Sequence, residues 1–277
     1  MIELKGKPVA ENVYSHIKEQ LKSWTHKPHL AVILVGEDPA SQVYVSHKQK
    51  ASEALGFESH LIKLSGKTTE AELTQKINEL NSDAKIDAIL LQLPLPAHLN
   101  SKKMSDLIAG SKDSDSLTTG SLGLLMAGRQ IVSSCTPSGI IEILKHYKLS
   151  VSGKNVLVIG RSLIVGLPLF HLLIAENATV TVAHSKTENL MNLVKQFDFV
   201  FVAAGKPHLL KATDFKKDAV VVDVGIHRLP TGLIGDVNPE GAEGHLKALT
   251  PVPGGVGPMT IAMLMQNTFT LAQARRN

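Results

Sequence analysis

Of 277 residues one is a cysteine, 4% are aromatic, and no apolar run is longer than a strand. A single cysteine closes no internal disulfide and builds no thiolate zinc or iron–sulfur site, so a disulfide scaffold, a Cys-rich zinc module and a cluster protein are excluded. The apolar runs stop at Gly, Pro or charged residues well short of a membrane span. The opening segment sets Glu3 and Lys5 among scattered apolar positions and has no apolar core of signal-peptide length, so neither export nor membrane binding is expected and a cytoplasmic location is. Basic arms and aromatic-interleaved stripes are missing too. The 29 Lys and Arg against 25 Asp and Glu leave +4, spread along the chain, which suits anionic small molecules better than nucleic acid. The 12 histidines show no H-E-x-x-H or similar spacing, and no metal is expected.

What is present is alternation. β-Branched apolar runs at 31–35, 87–93, 156–159, 179–183, 199–203 and 219–224 suit strands covered on both faces, as in a parallel sheet. Between them 39–55, 69–81, 137–147, 165–176 and 188–197 read as amphipathic helices. The pattern is that of an α/β fold with crossover helices. Residues 111–134 turn rich in Ser, Thr and Gly without a clear strand, as a connecting or site-forming segment would; two α/β lobes with a ligand cleft between them is the resulting expectation.

Four places could carry chemistry. Asp38 as N-cap, Pro39 at the first helical position and Gly56 as terminator frame a helix on which Tyr44 and Lys48 share a face, so that phenol and ammonium can converge on one ligand. Alone, this Tyr-x-x-x-Lys reads more readily as a surface lysine beside a half-buried tyrosine. Gln92-Leu93-Pro94 follows a strand at its carboxyl end, where α/β proteins place ligands, and also reads as a plain turn. Asp115, in Lys-Asp-Ser-Asp, is either part of a solvated acidic turn or an acceptor for an amino-heterocycle. Gly160, Arg161, Ser162 and Gly166 lie between a strand and a helix; the spacing is not G-x-G-x-x-G, but the helix N-terminus can bind phosphate. Arg161, with Ser185 and Lys186 where a ribose-binding carboxylate would fall, favours a 2′-phosphate and hence NADP. The Pro/Gly run 250–260 leads into a helix with Pro258 in its first turn. Cys135 reads as packing at a helix start, with Thr136 as N-cap and Pro137 as the first helical residue.

The segments VGEDPASQVYVSHKQKASEALG, LLQLPLPAH, KDSDSLT, CTPSG, VIGRSLIVGLP, AHSKT, VDVGI, GDV and TPVPGGVGPMT resemble, in order and over nearly the whole chain, the bifunctional methylenetetrahydrofolate dehydrogenase/methenyltetrahydrofolate cyclohydrolase family. The resemblance implies a folate-binding catalytic domain at 1–120, an NADP-binding Rossmann-like domain at 138–258, a final helix at 259–277 packed back on the first domain, and a homodimer joined through the Rossmann domain. It implies Lys48 as acid/base, Tyr44 and Gln92 orienting folate and lysine, and Asp115 on the pterin edge, with Leu93, Pro94, Pro253, Gly254 and Gly255 also touching the reduced folate. For NADP it implies Gly160, Arg161, Ser162, Val165, Gly166, His184, Ser185, Ala204, Gly205, Ile226, Gly257 and Thr260. The chain departs from the family pattern at Ser114, Ser116 (usually Gly), Ser134 (usually Pro) and His227 (usually Asn), three of them near Asp115. A dehydrogenase without the second activity, and a ligand-binding homologue without turnover, are the alternatives.

Overall fold

A computed structural model describes residues 1–230 and 232–276, with the side chain of Ala40 left aside; Thr231, in the expected dinucleotide-binding domain, and Asn277, at the end of the expected final helix, lie outside the described residues. The chain divides into two compact units, Met1–Glu11 with Thr136–Thr260 and Asn12–Cys135 with Ile261–Asn277. These limits differ from the division expected at 120 and 138. The first residues leave the first unit because the strand Ile2–Glu3 pairs in parallel with Ala248–Leu249, and the Ser/Thr/Gly-rich stretch is part of a unit rather than a linker.

The unit Asn12–Cys135 with Ile261–Asn277 has a three-stranded parallel sheet in the order Glu58–Leu64, His29–Val35, Ala88–Leu91. The central strand HLAVILV is covered on both faces. Its Ala31, Ile33 and Val35 meet Leu73 and Ile77 of the helix Glu70–Ser82, and each fully buried Leu or Ile contributes about 1.5–3 kcal/mol. That helix starts at Thr69 with a complete capping box to Glu72, which removes two orphan donors. From the final helix, Phe269 packs edge-on to Trp24, and Arg276 grips Asp87 with Nε to Oδ1 at 2.9 Å and Nη2 to Oδ2 at 2.8 Å.

The other unit has a six-stranded, all-parallel sheet in the order Ile2–Glu3, Ala248–Leu249, Val220–Asp223, Phe199–Val202, Asn155–Ile159, Thr179–Ala183. From Asn155–Ile159 the chain first adds Thr179–Ala183 on one side and then Phe199–Val202 on the other. The order therefore reverses beside Asn155–Ile159, and the carboxyl ends of the two strands flanking such a reversal are where open α/β sheets form their ligand crevice. Of the expected helices, 188–197 is cut to Leu190–Leu193 and a 3-10 turn Val194–Gln196; Asn189, with φ +54°, delays its start. Among the described residues no helix is long and apolar enough to cross a membrane.

Candidate active site

In the Asn12–Cys135 unit the helix Pro39–Ala54 begins as its sequence dictates. The Asp38 carboxylate accepts the Ser41 N–H at 2.7 Å, which holds that carboxyl below its usual range, and Pro39 takes the first turn. One turn apart on this helix, Tyr44 is 37% exposed and Lys48 only 7%. Lys48 Nζ donates to Gln92 Oε1 at 2.9 Å, and Gln92 Nε2 donates to the Leu93 carbonyl at 2.6 Å, so the amide is fixed in one orientation. Gln92 reaches this place because its N–H bonds the Ile33 carbonyl at 2.9 Å, extending Ala88–Leu91 by one ladder step before the cis Leu93–Pro94 bond turns the chain.

The segment around Asp115 is not a solvated acidic turn. Lys112, Asp113, Ser114, Ser116 and Thr118 are all buried. Lys112 Nζ donates to the carbonyls of Leu80 and Asp83, Ser114 Oγ to that of Ile89 at 2.9 Å, and Ser116 Oγ to that of Val132 at 3.2 Å. Ser134 Oγ donates to the Ser116 carbonyl at 3.2 Å, and Asn267 Nδ2 to the carbonyls of Ser114 and Ser133, both at 2.8 Å. Burial pushes the Asp113 carboxyl up, against the Thr118 N–H that favours the anion at 2.9 Å. Ser116 holds φ +54°, a left-handed conformation that favours glycine. Asp115 is half-buried beside Cys135. Burial pushes the Cys135 thiol well above its usual range, the adjacent Asp115 carboxylate adds to this and the Lys48 ammonium opposes it. Lys48, Asp115 and Cys135 thus share one neighbourhood, and the cysteine is a packed, unreactive thiol.

In the six-stranded unit, Gly160 ends the strand Asn155–Ile159 with φ +126°. A Cβ there would lie 2.2 Å from the Ala203 oxygen, and one at Gly166 2.2 Å from the Gly160 oxygen, so these glycines let the turn close against its neighbour. At the start of the helix Gly166–Ala175, Ser162 Oγ accepts from Val165 N–H at 3.1 Å and Gly166 N–H at 3.4 Å, and the Ser162 carbonyl accepts from Leu167 N–H. Arg161 is exposed at this turn, and Ser185 and Lys186 are exposed beyond the neighbouring strand, in a turn fixed by His184 N–H to Thr187 Oγ1 at 2.9 Å. Ala204 and Gly205 follow Phe199–Val202 at the crevice, and Ile226 lies against the Gly257 position. Pro253, Gly254 and Gly255 also belong to this unit, where Gly254 has φ +104° and its carbonyl accepts the Gly6 N–H. Thr136 is not an N-cap, because the helix Cys135–His146 begins one residue before it; its Oγ1 shares a hydrogen bond of 2.9 Å with Thr260 Oγ1.

Two carboxylates without a role in the sequence reading lie behind the crevice. Asp236 Oδ2 accepts the N–H groups of Ala204 (2.7 Å) and Gly205 (2.9 Å), while Oδ1 accepts that of Lys206 (2.9 Å) and faces His227 Nε2 (2.7 Å). Asp223 accepts the N–H groups of Gly225, Asp236 and Val237, and burial pushes its carboxyl up to about 6 against these donors. The only sequence signal for Asp236 is its place in the short Gly-Asp-Val that is among the segments resembling the family, which by itself assigns no role.

The arrangement fits a dinucleotide. A switch-point crevice with a glycine turn accommodates a flat ligand, and the exposed donors Arg161, Ser185 and Lys186 match an anion such as a 2′-phosphate. The Lys48–Gln92 pair supplies a shielded amine with a neutral partner, the equipment for moving one proton. Among the described residues no group of His, Cys, Asp or Glu could hold a metal ion.

Two family models match the chain. Residues 4–115 match the family model for the tetrahydrofolate dehydrogenase/cyclohydrolase catalytic domain, and residues 134–276 that for its NAD(P)-binding domain. The bifunctional protein FolD of Bdellovibrio bacteriovorus is 50% identical over 98% of this chain and 96% of its own length. The crystal structure of the bifunctional FolD enzyme of Campylobacter jejuni superposes with a TM-score of 0.96 at 42% identity, covering 99% of both chains. That of the Trypanosoma brucei methylenetetrahydrofolate dehydrogenase-cyclohydrolase, complexed with NADP and an inhibitor, superposes at 0.93 with 33% identity over 100% of this chain and 99% of its own. The chain belongs to the tetrahydrofolate dehydrogenase/cyclohydrolase family.

Proposed function

We propose that this chain catalyses both reactions of its family: NADP-dependent oxidation of 5,10-methylenetetrahydrofolate to the 5,10-methenyl cation, and hydrolysis of that cation to 10-formyltetrahydrofolate. The observation that carries the reading is the contact of the shielded Lys48 ammonium with a neutral amide, Gln92, beside the Asp115 carboxylate. The Gln92 side-chain carbonyl positions Nζ without adding a charge of its own. In hydrolysis, water adds to the methenyl carbon and its proton passes to the Lys48 amine. The carbon–N5 bond then breaks as Lys48 returns a proton to N5, and the remaining hydroxyl proton goes to solvent. Asp115 accepts the N–H donors of the pterin edge, Tyr44 orients the folate, and Leu93 and Pro94 fix the loop beside it.

Oxidation creates positive charge on the imidazolidine ring, so it asks of this unit only that the ring be held with no ammonium close by. NADP, when bound, accepts the hydride. Arg161, Ser185 and Lys186 would hold its 2′-phosphate, Gly160, Ser162, Val165, Gly166 and His184 its adenosine half, and Ala204, Gly205, Ile226, Gly257 and Thr260 the rest, with Pro253 to Gly255 bordering the ring. In this reading the enzyme is cytoplasmic, its formyl product serves purine synthesis, and two copies associate through the dinucleotide-binding unit, whose sheet ends on the half-exposed strand Thr179–Ala183. Light scattering measures the oligomer.

Paired assays test the reaction: NADPH formed from methylenetetrahydrofolate, and loss of methenyl absorbance without NADP. Lys48→Met should lower methenyl hydrolysis by about 100-fold or more, the usual worth of a positioned acid/base, with a smaller effect on oxidation. Unchanged hydrolysis in that variant would overturn the role of Lys48.

A further inference from the structure

We propose that Asp236 is a positioning residue for the dinucleotide: its carboxylate, steadied by His227, turns the backbone of residues 203–206 so that carbonyl oxygens are offered to the ligand. The proposal rests on the reading that this crevice holds NADP. Three consecutive N–H groups, of Ala204, Gly205 and Lys206, converge on one carboxylate at 2.7–2.9 Å. The cis peptide bonds recorded are Leu93–Pro94 and Val252–Pro253, so these three units are trans, and in a trans unit the carbonyl points opposite to the N–H. The oxygens of Ala203, Ala204 and Gly205 therefore point away from Asp236. That of Ala203 packs against the Gly160 turn, which leaves the oxygens of Ala204 and Gly205 for a ligand at the carboxyl end of the strand Phe199–Val202. Gly205 has φ +66°, and a Cβ there would meet nothing within 4 Å, so the space beside it is open. A row of carbonyls beside open space recognises hydroxyl and amide donors, such as ribose hydroxyls or a carboxamide.

The carboxylate is itself held. Asp236 is 0% exposed, and its two oxygens are filled by four partners, the fourth being His227 Nε2. His227 opens the hairpin His227–Leu229 with Gly232–Ile234, whose return strand leads directly to Asp236. The Asp236 N–H is bound in turn by Asp223 Oδ1 at 2.9 Å, and Asp223 is clamped by Thr250, whose Oγ1 accepts the Asp223 N–H at 2.7 Å. The loop therefore has a rigid chain of support reaching to the Pro/Gly segment that starts at Thr250.

Asp236→Asn keeps the size but replaces one acceptor oxygen by an NH2 facing N–H donors, so the loop must turn. Dissociation of NADP, followed by titration of intrinsic NMR or fluorescence signals, should weaken at least 10-fold. Methenyl hydrolysis, which uses no NADP, should change less than twofold, a split that a merely structural role would not produce. His227→Phe, which removes one of four partners, should weaken NADP about threefold, and it decides the matter should Asp236→Asn not fold. NADP affinity within twofold of the parent in folded Asp236→Asn, or in His227→Phe if only that folds, overturns the proposal, as does parallel loss of both activities. NADP titration of the parent separates the two levels: if the Ala204 and Gly205 amide signals do not move, the assignment of the crevice fails, and if they move while both variants bind normally, only the role of Asp236 fails.

Discussion

The two loops that carry the candidate ligand contacts are held in opposite ways. Residues 112–118 are tied by many separate bonds, among them Lys112 to Leu80 and Asp83, Ser114 to Ile89, Ser116 to Val132, Ser134 to Ser116, and Asn267 to Ser114 and Ser133. Residues 204–206 hang on the single carboxylate of Asp236. A distributed set loses one bond at a time, whereas a single anchor fails as a whole. The difference explains how the first loop accommodates three serines that depart from the family pattern: each supplies a bond of its own, and Asp115 stays beside Cys135 and Lys48.

The comparison can be sharpened in three ways. The largest effect concerns the buried carboxylates behind the second loop. Asp223 is raised from 3.8 to about 6 in the folded chain, so its contribution to stability is full below about pH 3.8 and lost as pH rises to about 6, a change of about 3 kcal/mol. Asp113, in the other unit, is raised as well, so the measurement is the difference in urea stability between the parent and Asp223→Asn from pH 4 to 7. The difference should vary across pH 4–6 and be flat above; a flat difference throughout refutes the assignment. Next, Asn267→Ala removes the amide donor shared by the carbonyls of Ser114 and Ser133, leaving Ser114 only the weak Cys135 thiol, and should cost about 2 kcal/mol by denaturant unfolding, with a higher KM for folate and an unchanged KM for NADP. An equal rise in both would show that the bonds support the whole chain rather than this loop. The smallest effect separates conformation from hydrogen bonding at Ser116. Ser116→Ala keeps the left-handed φ and loses the bond to Val132, costing about 1 kcal/mol; Ser116→Gly loses the same bond but relieves the φ and should fall within about 0.5 kcal/mol of the parent. The reverse order would mean that the serine is under no backbone strain.

Strands covered on both faces were legible because a buried strand writes itself as a continuous apolar run, as in AVILV and FVFV. Glu58–Leu64 was not: ESHLIKL lies at the sheet edge with part of its surface in solvent, so its pattern is broken by polar residues. The two-residue strands Ile2–Glu3 and Ala248–Leu249 are too short for any period and exist only through their pairing. The helix Gly6–Leu21 is also absent from the expected elements. At the candidate site, spacing put Lys48 and Tyr44 on one helix face and Gln92 after a strand, but only the family resemblance singled them out. Asp236 was not singled out, since its four partners come from residues 204–206 and 227 and nothing local marks it.

By itself the sequence determined the α/β class, the helix starts at Asp38 and Thr69, the buried strands, and the residue types able to move a proton or meet an anion. These follow from local rules of periodicity, capping and charge, which need no distant partner. The tertiary structure alone decided that the first residues belong with the second sheet, that the Asp115 segment is buried rather than solvated, and that one carboxylate shapes residues 203–206. Each of these depends on hydrogen bonds or burial between segments whose meeting is set by the packing of the whole unit, and such meetings leave no periodic trace in the chain.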